Sequence, residues 1–495
     1  MKLVFVGHEE RYAVEQTLFH LFPSERPVYD GEDENVATVT LRRGRRRAEA
    51  RTRIRYHGKT EEAACRVSLA DCAGDDYREL GEIRRILKLS FYRAGVRFLD
   101  HAPPWGALTG VRPDKLAKRF LREGKTLAET DRILARIYDV SAPRRRLCLE
   151  TSSVGLAAEQ GLGPLDFSLY AGIPFCPTRC AYCSFVAESV ERAFPLVEPY
   201  LDALHREIDL CAETVRSLGL RLKTFYMGGG TPTTLSALQM DELLAHLREA
   251  FSFPPGMECT VEAGRPDTIT REKTEVLRRH GVTRVSVNPQ SMEQSVLDAI
   301  GRKHTPADIL RAMDIVREAG FSHINMDLIA GLPADTPDGF RRTLDTVLRL
   351  GADNITVHTL ALKRGSRLTQ EGGGLPSAEA VGEMLSYAER TLREHGYAPY
   401  YLYRQKQMSG NFENIGWCLP HTENLYNIYI MEELMTVLSL GAGGSIKTVS
   451  PTGEIARVFN CKYPKEYIER QEKIRENLLA VRRFYEERLP HIFQA

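Results

Sequence analysis

Three cysteines fall within eight residues of this chain: Cys176, Cys180 and Cys183, spaced C-x3-C-x2-C in the stretch GIPFCPTRCAYCSF from Gly172 to Phe185. Thiolates bind metals, and the spacing restricts which. A structural zinc site takes four ligands, its cysteines usually arriving as two CxxC pairs. A ferredoxin-type cluster takes four thiolates. Here no fourth cysteine follows at close range: Ser184 and Phe185 come next, and the next cysteine is Cys211. Three thiolates on a [4Fe-4S] cluster leave one iron open to a small molecule, and that is the chemistry this stretch points to. A partial zinc site or three buried structural cysteines are the bland alternatives. Pro174 and Pro177 stiffen the approach, and Tyr182 and Phe185 could shield a cluster from water.

A second chemical stretch is Met227-Gly228-Gly229-Gly230-Thr231-Pro232-Thr233. Glycines let a backbone approach a ligand closely and turn exposed N–H and C=O groups into donors and acceptors. Both stretches need a scaffold. From about residue 165, short apolar runs (168–173, 224–228, 258–262, 284–288, 323–329 and 354–359) alternate with amphipathic helices near 194–218, 236–250, 271–280, 292–300 with 306–319, and 338–350, another following at 377–396. Regular strand-helix alternation argues for a parallel sheet. Six βα units are fewer than the eight of a closed barrel, so the expected fold class is α/β, a partial (β/α)6 TIM-type barrel. The cysteines follow its first strand and the glycines its second, at the C-terminal strand ends where barrel chemistry sits.

The remaining chain divides by texture into a small α+β N-terminal domain (1–65), a helical connecting region (66–160), the barrel (161–375) and a mostly helical C-terminal extension that covers the substrate (376–495). In the first, a strand (2–7), a helix (12–21) and a hairpin (36–41 with 50–56) surround Arg42-Arg43-Gly44-Arg45-Arg46-Arg47. Nearby Glu32, Asp33, Glu34 and Glu49 favour a solvated hairpin tip over an anion-docking site. The second carries helical patterns at 70–100, 114–122 and 127–137, the punctuated loop PPWGALTGVRP (103–113), and a linker at 141–144.

With 495 residues, two or three domains are expected. A net charge of +1 gives no electrostatic case for nucleic acid or a membrane surface. The ten cysteines, scattered apart from the triplet, fit a reducing cytoplasm better than a disulfide framework. Charges at Glu9, Glu10 and Arg11 come too soon for a signal peptide, and no run approaches a membrane span.

C-x3-C-x2-C after a first strand with GGGTP after the second resembles the radical S-adenosylmethionine (SAM) superfamily. More narrowly, IPFC-x3-C-x-YC with GGGTPT resembles the oxygen-independent coproporphyrinogen III oxidase group. VEAGRPD (261–267), RVSVNPQS (284–291), GRKHT (301–305) and NMDLIAGLP (325–333) continue the likeness. YRQKQ (403–407), GNFENIG (410–416), LGAGG (440–444) and PWGALTGVRP resemble the HemZ-like branch.

The resemblance implies two cofactors, a [4Fe-4S] cluster on Cys176, Cys180 and Cys183 and a SAM chelating the open iron. Tyr170 would lie beside SAM as the catalytic position. Tyr182 and Ala361 would meet the adenine through their backbones. Gly229, Gly230 and Thr231 would hold the methionine amino group. Glu262, Gln290 and Asp327 suit ribose hydroxyls and the amino group, and Arg302 would pair with the SAM carboxylate. The implied reaction is reductive SAM cleavage, hydrogen abstraction from a propionate, and loss of CO2 and one electron to leave a vinyl group. The implied partners are a tetrapyrrole substrate, coproporphyrinogen III, and a reduced flavodoxin- or ferredoxin-type electron donor. Propionates need cations, and Arg265, Arg364, Arg367, Arg404 and Lys406 are the candidates.

The coproporphyrinogen oxidases of this group carry a further cysteine two residues after the triplet, where this chain has Phe185. The heme-chaperone branch also lacks it. A heme-binding chaperone-like protein is therefore the alternative, with His421 as the candidate heme ligand, although Thr422 stands where that branch has asparagine. A radical SAM enzyme acting on another tetrapyrrole or on RNA is a third reading.

Overall fold

The computed structural model describes residues 1–490 except 73, 186, 364, 365, 372, 373, 406 and 407, and omits the side chains of 71, 192, 370 and 371. Its residues gather into two compact units, Met1–Leu149 and Glu150–Ala495. Among the described residues no helix is long and apolar enough to cross a membrane.

In the first unit a strand, Lys2–Val6, leads through the helix Arg11–Leu21 into a parallel partner, Val36–Arg43, which then pairs antiparallel with Arg47–Tyr56. A fourth strand, Lys59–Ser68, joins next. The sequence reading missed it. Its alternation of exposed charge with Ala63 and Cys65 suits a sheet with one buried face. His57 and Gly58 take positive φ, which closes the two-residue turn before it. Arg43 pairs with Glu79, and Arg51 and Arg66 with Glu49, so the arginine hairpin is part of a salt-bridged surface. The helix Asp76–Gly95 covers this sheet with Ile83, Ile86, Leu87 and Phe91. The expected linker at 141–144 is instead the first turn of the helix Ala142–Glu159. Pro143 there is tolerated because the amide it lacks has no intrahelical partner at that position.

The second unit is built on six parallel strands in sequential order: β1 (Asp166–Ile173), β2 (Arg221–Gly229), β3 (Glu258–Glu262), β4 (Arg284–Ser286), β5 (His323–Ala330) and β6 (Asn354–Thr359). All six lie where the sequence places them, β4 being shorter than expected. Helices Val197–Ser217, Ala237–Ala250, Arg271–Arg279, Pro306–Glu318 and Pro337–Arg349 return the chain between them. Ser236 and Thr305 begin two of these helices with reciprocal capping boxes.

The barrel stays open because β1 and β6 do not meet. The C-terminal region takes both edges instead. β7 (Ala398–Tyr403) and β8 (Asn414–Cys418) add antiparallel strands beyond β6. β9 (Thr436–Leu440) pairs parallel with β1, followed by β10 (Ser445–Val449) and β11 (Ile455–Phe459). The extension is thus helical, as expected, and also supplies five strands to an 11-stranded sheet.

A helix from that extension, Leu425–Glu432, lies against the inner face of the sheet. Glu258 accepts its first two amides, Leu425 N–H and Tyr426 N–H, at 2.9 Å each. This places a carboxylate at a positive helix end. Tyr426 stacks on Tyr226 at 4.5 Å between ring centroids. Every second residue of β3 therefore points inward: Glu258 caps the helix, Thr260 meets Asn424 Nδ2 at 3.2 Å, and Glu262 reaches the top.

Candidate functional site

A cavity of about 340 Å3 opens at the C-terminal ends of the six strands. The cysteine loop forms one wall. It is held by Ala181 N–H on the Ile300 carbonyl (2.9 Å), Leu368 N–H on the Ala181 carbonyl (3.2 Å) and Glu188 N–H on the Pro174 carbonyl (2.9 Å). Cys176, Cys180 and Cys183 all face the cavity. Burial pushes the Cys176 thiol up to about 11, with the Thr231 hydroxyl, 3.4 Å from its sulfur, opposing the shift. Burial also raises Cys183, against a hydrogen bond from the Phe185 amide. Among the described residues no three His, Cys, Asp or Glu side chains converge as ligands of a single metal ion.

Arg265, offered above as a propionate partner, is corrected by its surroundings. It is only 3% exposed. Its guanidinium donates to Asp267 (3.1 and 3.3 Å), to the Thr178 carbonyl and hydroxyl (3.2 and 3.1 Å), and lies 3.9 Å from Cys180 Sγ. It braces the cysteine loop. Arg404 is buried outside the cavity lining and donates to the Asn411 carbonyl at 3.0 Å, while Arg367 is exposed and also outside it. Arg364 and Lys406 lie outside the described residues. Among the described residues, the arginines and lysines that line the cavity are Arg179, Lys363, Arg265 and Arg302.

The glycine strip is shaped first by protein. A Cβ on Gly230 would stand 2.5 Å from the Phe175 carbonyl oxygen, and one on Gly228 2.9 Å from the Glu262 carboxyl. The amides of Gly230 and Thr231 donate to the carbonyls of Ile173 and Phe175 at 2.8 and 2.7 Å. The strip thereby fastens the second strand end to the cysteine loop.

The polar floor comes from alternate residues of β2 to β6. Glu262 accepts from Tyr226 OH at 2.6 Å. Burial raises its pKa to about 7, Tyr226 opposing and the Asp327 charge adding. Burial also disfavours charge on Asp327, but hydrogen bonds from His358 and Asn325, the latter at 2.8 Å, outweigh it and hold that carboxyl low. Two carboxyls of opposite tendency share one floor. Gln290 has a left-handed backbone, φ 64°, a strained conformation of the kind concentrated at functional sites. Arg302 Nη1 donates to the Asn288 carbonyl at 2.6 Å and Nη2 to Tyr182 OH at 3.3 Å. Despite burial, Tyr182 and Cys180 keep its pKa raised.

Four buried polar atoms of lining residues have no partner among the described residues: Asn288 Oδ1, Gln290 Oε1, Arg302 Nε and Asn414 Nδ2. An unpaired buried donor or acceptor costs about 1–3 kcal/mol, so this cavity is built to be completed by a polar molecule. The residues fit a cofactor that presents hydroxyls, an ammonium and a carboxylate together.

Of the residues read from sequence, the cavity brings together the three cysteines with Tyr182, Gly229, Gly230, Thr231, Glu262, Gln290, Arg302, Asp327 and Ala361. It does not include Tyr170. That ring stands behind the lining, stacked on Tyr226 and Tyr426 at 6.1 and 6.2 Å. Sequence reasoning missed Tyr226, Asn288, Asn325, Thr356 and His358. Counting back by twos from Gly230, Gln290 and Asp327 reaches Tyr226, Asn288 and Asn325, whereas Thr356 and His358 are out of phase with Ala361, the residue named beyond their strand. His421 is exposed, with φ 64°. Its loop is bound at the opposite strand ends, where Thr422 O accepts from Arg284 and Asn354, both at 2.8 Å.

Residues 170–347 match the family model of the radical SAM superfamily. The chain is 41% identical over 374 residues to the oxygen-independent coproporphyrinogen-III oxidase-like protein HemZ of Bacillus subtilis, covering 74% of this chain and 75% of that one. It is 28% identical over 321 residues to the heme chaperone HemW of Mycobacterium tuberculosis, covering 62% and 76%. Among solved structures it resembles coproporphyrinogen III oxidase (HemN) of Escherichia coli, a radical SAM enzyme, with a TM-score of 0.52 and 25% identity over 66% of this chain and 73% of that one.

Proposed function

Because this chain belongs to the radical SAM superfamily, and within it to the HemZ-like branch of the oxygen-independent coproporphyrinogen III oxidase group, we propose that it is an oxidoreductase that converts propionate side chains of coproporphyrinogen III to vinyl groups. The superfamily's cofactors are a [4Fe-4S] cluster and SAM. Bound, they supply a one-electron reduction and the means of hydrogen abstraction.

The chain's own residues bind, orient and exclude water. Cys176, Cys180 and Cys183 would hold three irons, with Arg265 bracing the loop behind Cys180. The N–H groups of Gly230 and Thr231 are engaged within the protein, so a bound ammonium, itself a donor, would take the carbonyl side of the glycine strip. Arg302 Nε suits the SAM carboxylate. Glu262, Gln290 and Asp327 offer acceptors to ribose hydroxyls and the ammonium, and the Ala361 backbone meets the adenine. The Tyr170–Tyr226–Tyr426 stack closes the floor against water.

The observation that carries the substrate is at the mouth. Phe185, where other enzymes of the group have cysteine, is 67% exposed, and Lys363 Nζ lies 5.9 Å from its ring centroid. Arg179 lines the same opening. A bare aromatic ring with cations around it suits a flat macrocycle carrying carboxylates. The heme-carrier alternative rests on the HemW relatives and His421, and that histidine stands at the other end of the strands. The proposed reading carries a cytoplasmic setting and a reduced flavodoxin- or ferredoxin-type electron donor.

Reconstituted protein given reductant, SAM and coproporphyrinogen III without oxygen is expected to release CO2 and form tri- and divinyl products. SAM cleavage with no product from that substrate would overturn the assignment. A smaller effect is expected at Thr231. Its hydroxyl stabilises charge on Cys176, so Thr231→Val should lower the cluster's midpoint potential with iron content unchanged. An unaltered potential in redox titration would remove that role.

A further inference from the structure

The larger cavity is elsewhere. Within the first unit a cleft of about 760 Å3 opens between the helix Asp76–Gly95, the helix Asp114–Arg122 and the loop Ala107 to Gly110. Its volume falls in the range of about 300–1,000 Å3 typical of small-molecule sites. The loop belongs to the PWGALTGVRP stretch. It is firmly built: Trp105 is fully buried, Ala107 N–H donates to the Tyr138 carbonyl at 2.8 Å, and a Cβ on Gly106 would stand 2.1 Å from that same oxygen.

Two features of the long helix have no explanation within the protein. The first is Lys88. Arg84 is paired with Glu10, Arg85 with Glu82, and Arg119 lies 3.8 Å from Glu123. Lys88 is half-buried in the cleft wall and, among the described residues, makes no hydrogen bond or ion pair. Burial and then Arg84 lower its pKa, so the environment penalises the charge and an anion would relieve the penalty. The second is Gly81. A glycine inside a helix costs about 1 kcal/mol relative to alanine, and here nothing lies within 4 Å of where its Cβ would be. No neighbouring chain needs that space. Gly81 and Lys88 are seven residues apart and so share one helix face. Leu89, Leu108, Leu116 and Phe120 supply apolar wall.

We propose that this cleft binds a carboxylate on an apolar body, a propionate-bearing tetrapyrrole, with Lys88 as the anion contact and the Gly81 gap receiving the molecule's edge. The ligand's identity rests on the reading of the barrel site; the existence of an anion site does not. An RNA strand would lie along an open basic surface, whereas this cleft is concave and its other charges are largely paired.

The test titrates the full chain with coproporphyrin III, the oxidised form that is not consumed, by its fluorescence and without SAM. Lys88→Glu and Gly81→Leu are each expected to weaken one class of site by about tenfold or more, the loss of one charge-assisted contact. Lys88→Arg is expected to retain it. All three should keep the wild-type rate of SAM cleavage, which shows that they fold. Wild-type affinity in both Lys88→Glu and Gly81→Leu overturns the proposal. Inorganic pyrophosphate that binds the wild type, loses affinity in Lys88→Glu and is not displaced by coproporphyrin III overturns the tetrapyrrole identity. Loss of the site in the variants alongside absent CO2 release in the barrel assay would leave this cleft standing and the barrel reading fallen.

Discussion

Cys180→Ala is expected to lose the iron and the brown chromophore of the reconstituted protein, and SAM cleavage with them. The side chain is small and its loop is pinned by backbone hydrogen bonds to the Ile300 and Pro174 carbonyls, so the substitution removes a ligand without unmaking the loop. Two thiolates cannot hold a cluster that needs three. Cys211→Ala and Cys259→Ala are the matched controls, both buried and neither lining the cavity, and they should keep a full complement of iron. Burial raises the thiols of Cys176 and Cys183, so the loop without cluster holds protonated sulfur at neutral pH. Loading must expel those protons and should become easier as pH rises. A full [4Fe-4S] spectrum in Cys180→Ala would refute the ligand assignment.

The barrel was legible because its cues are local. Six apolar runs, each followed by an amphipathic helix, can be counted from the chain. The strand Lys59–Ser68 was not read because its solvent face carries Lys59, Glu61, Glu62 and Arg66, and apolar content alone does not reveal a half-exposed strand. The strands that close both edges of the sheet come from residues 398–459, and pairing over such distances leaves no local mark. Most residues of the cavity were legible through motif resemblance, yet the motif assigned Arg265 nothing and a free cation reading assigned it too much. Its partners, Thr178, Cys180 and Asp267, are brought together only by the fold. Gly230 was readable as a close approach, but to a ligand. That the approach is to the Phe175 carbonyl depends on how β1 and β2 are paired.

SAM affinity is expected to rise with pH through about 7, and Glu262 is the reason. Its carboxyl is raised to about 7 by burial, with Asp327 adding and Tyr226 opposing. Below that pH it is neutral and its own proton competes with a ligand hydroxyl. Above it, the carboxylate accepts freely. The linkage has a definite sign. A carboxyl whose pKa is higher folded than its usual 4.5 contributes stability that is complete below 4.5 and lost as pH rises through about 7. SAM binding, which favours the ionised form, should therefore raise the melting temperature more at the higher pH. Calorimetric titration of the cluster-loaded protein with SAM should show the slope in the wild type. Glu262→Gln should flatten it and weaken binding about ten- to a hundredfold, the worth of a charge-assisted hydrogen bond. Tyr226→Phe separates this carboxyl from any other titrating group. The phenol donates to Glu262 at 2.6 Å and favours its ionised form, so its removal should carry the midpoint to higher pH. A wild-type affinity that does not change with pH, or the same slope in Glu262→Gln, would take Glu262 out of the SAM site.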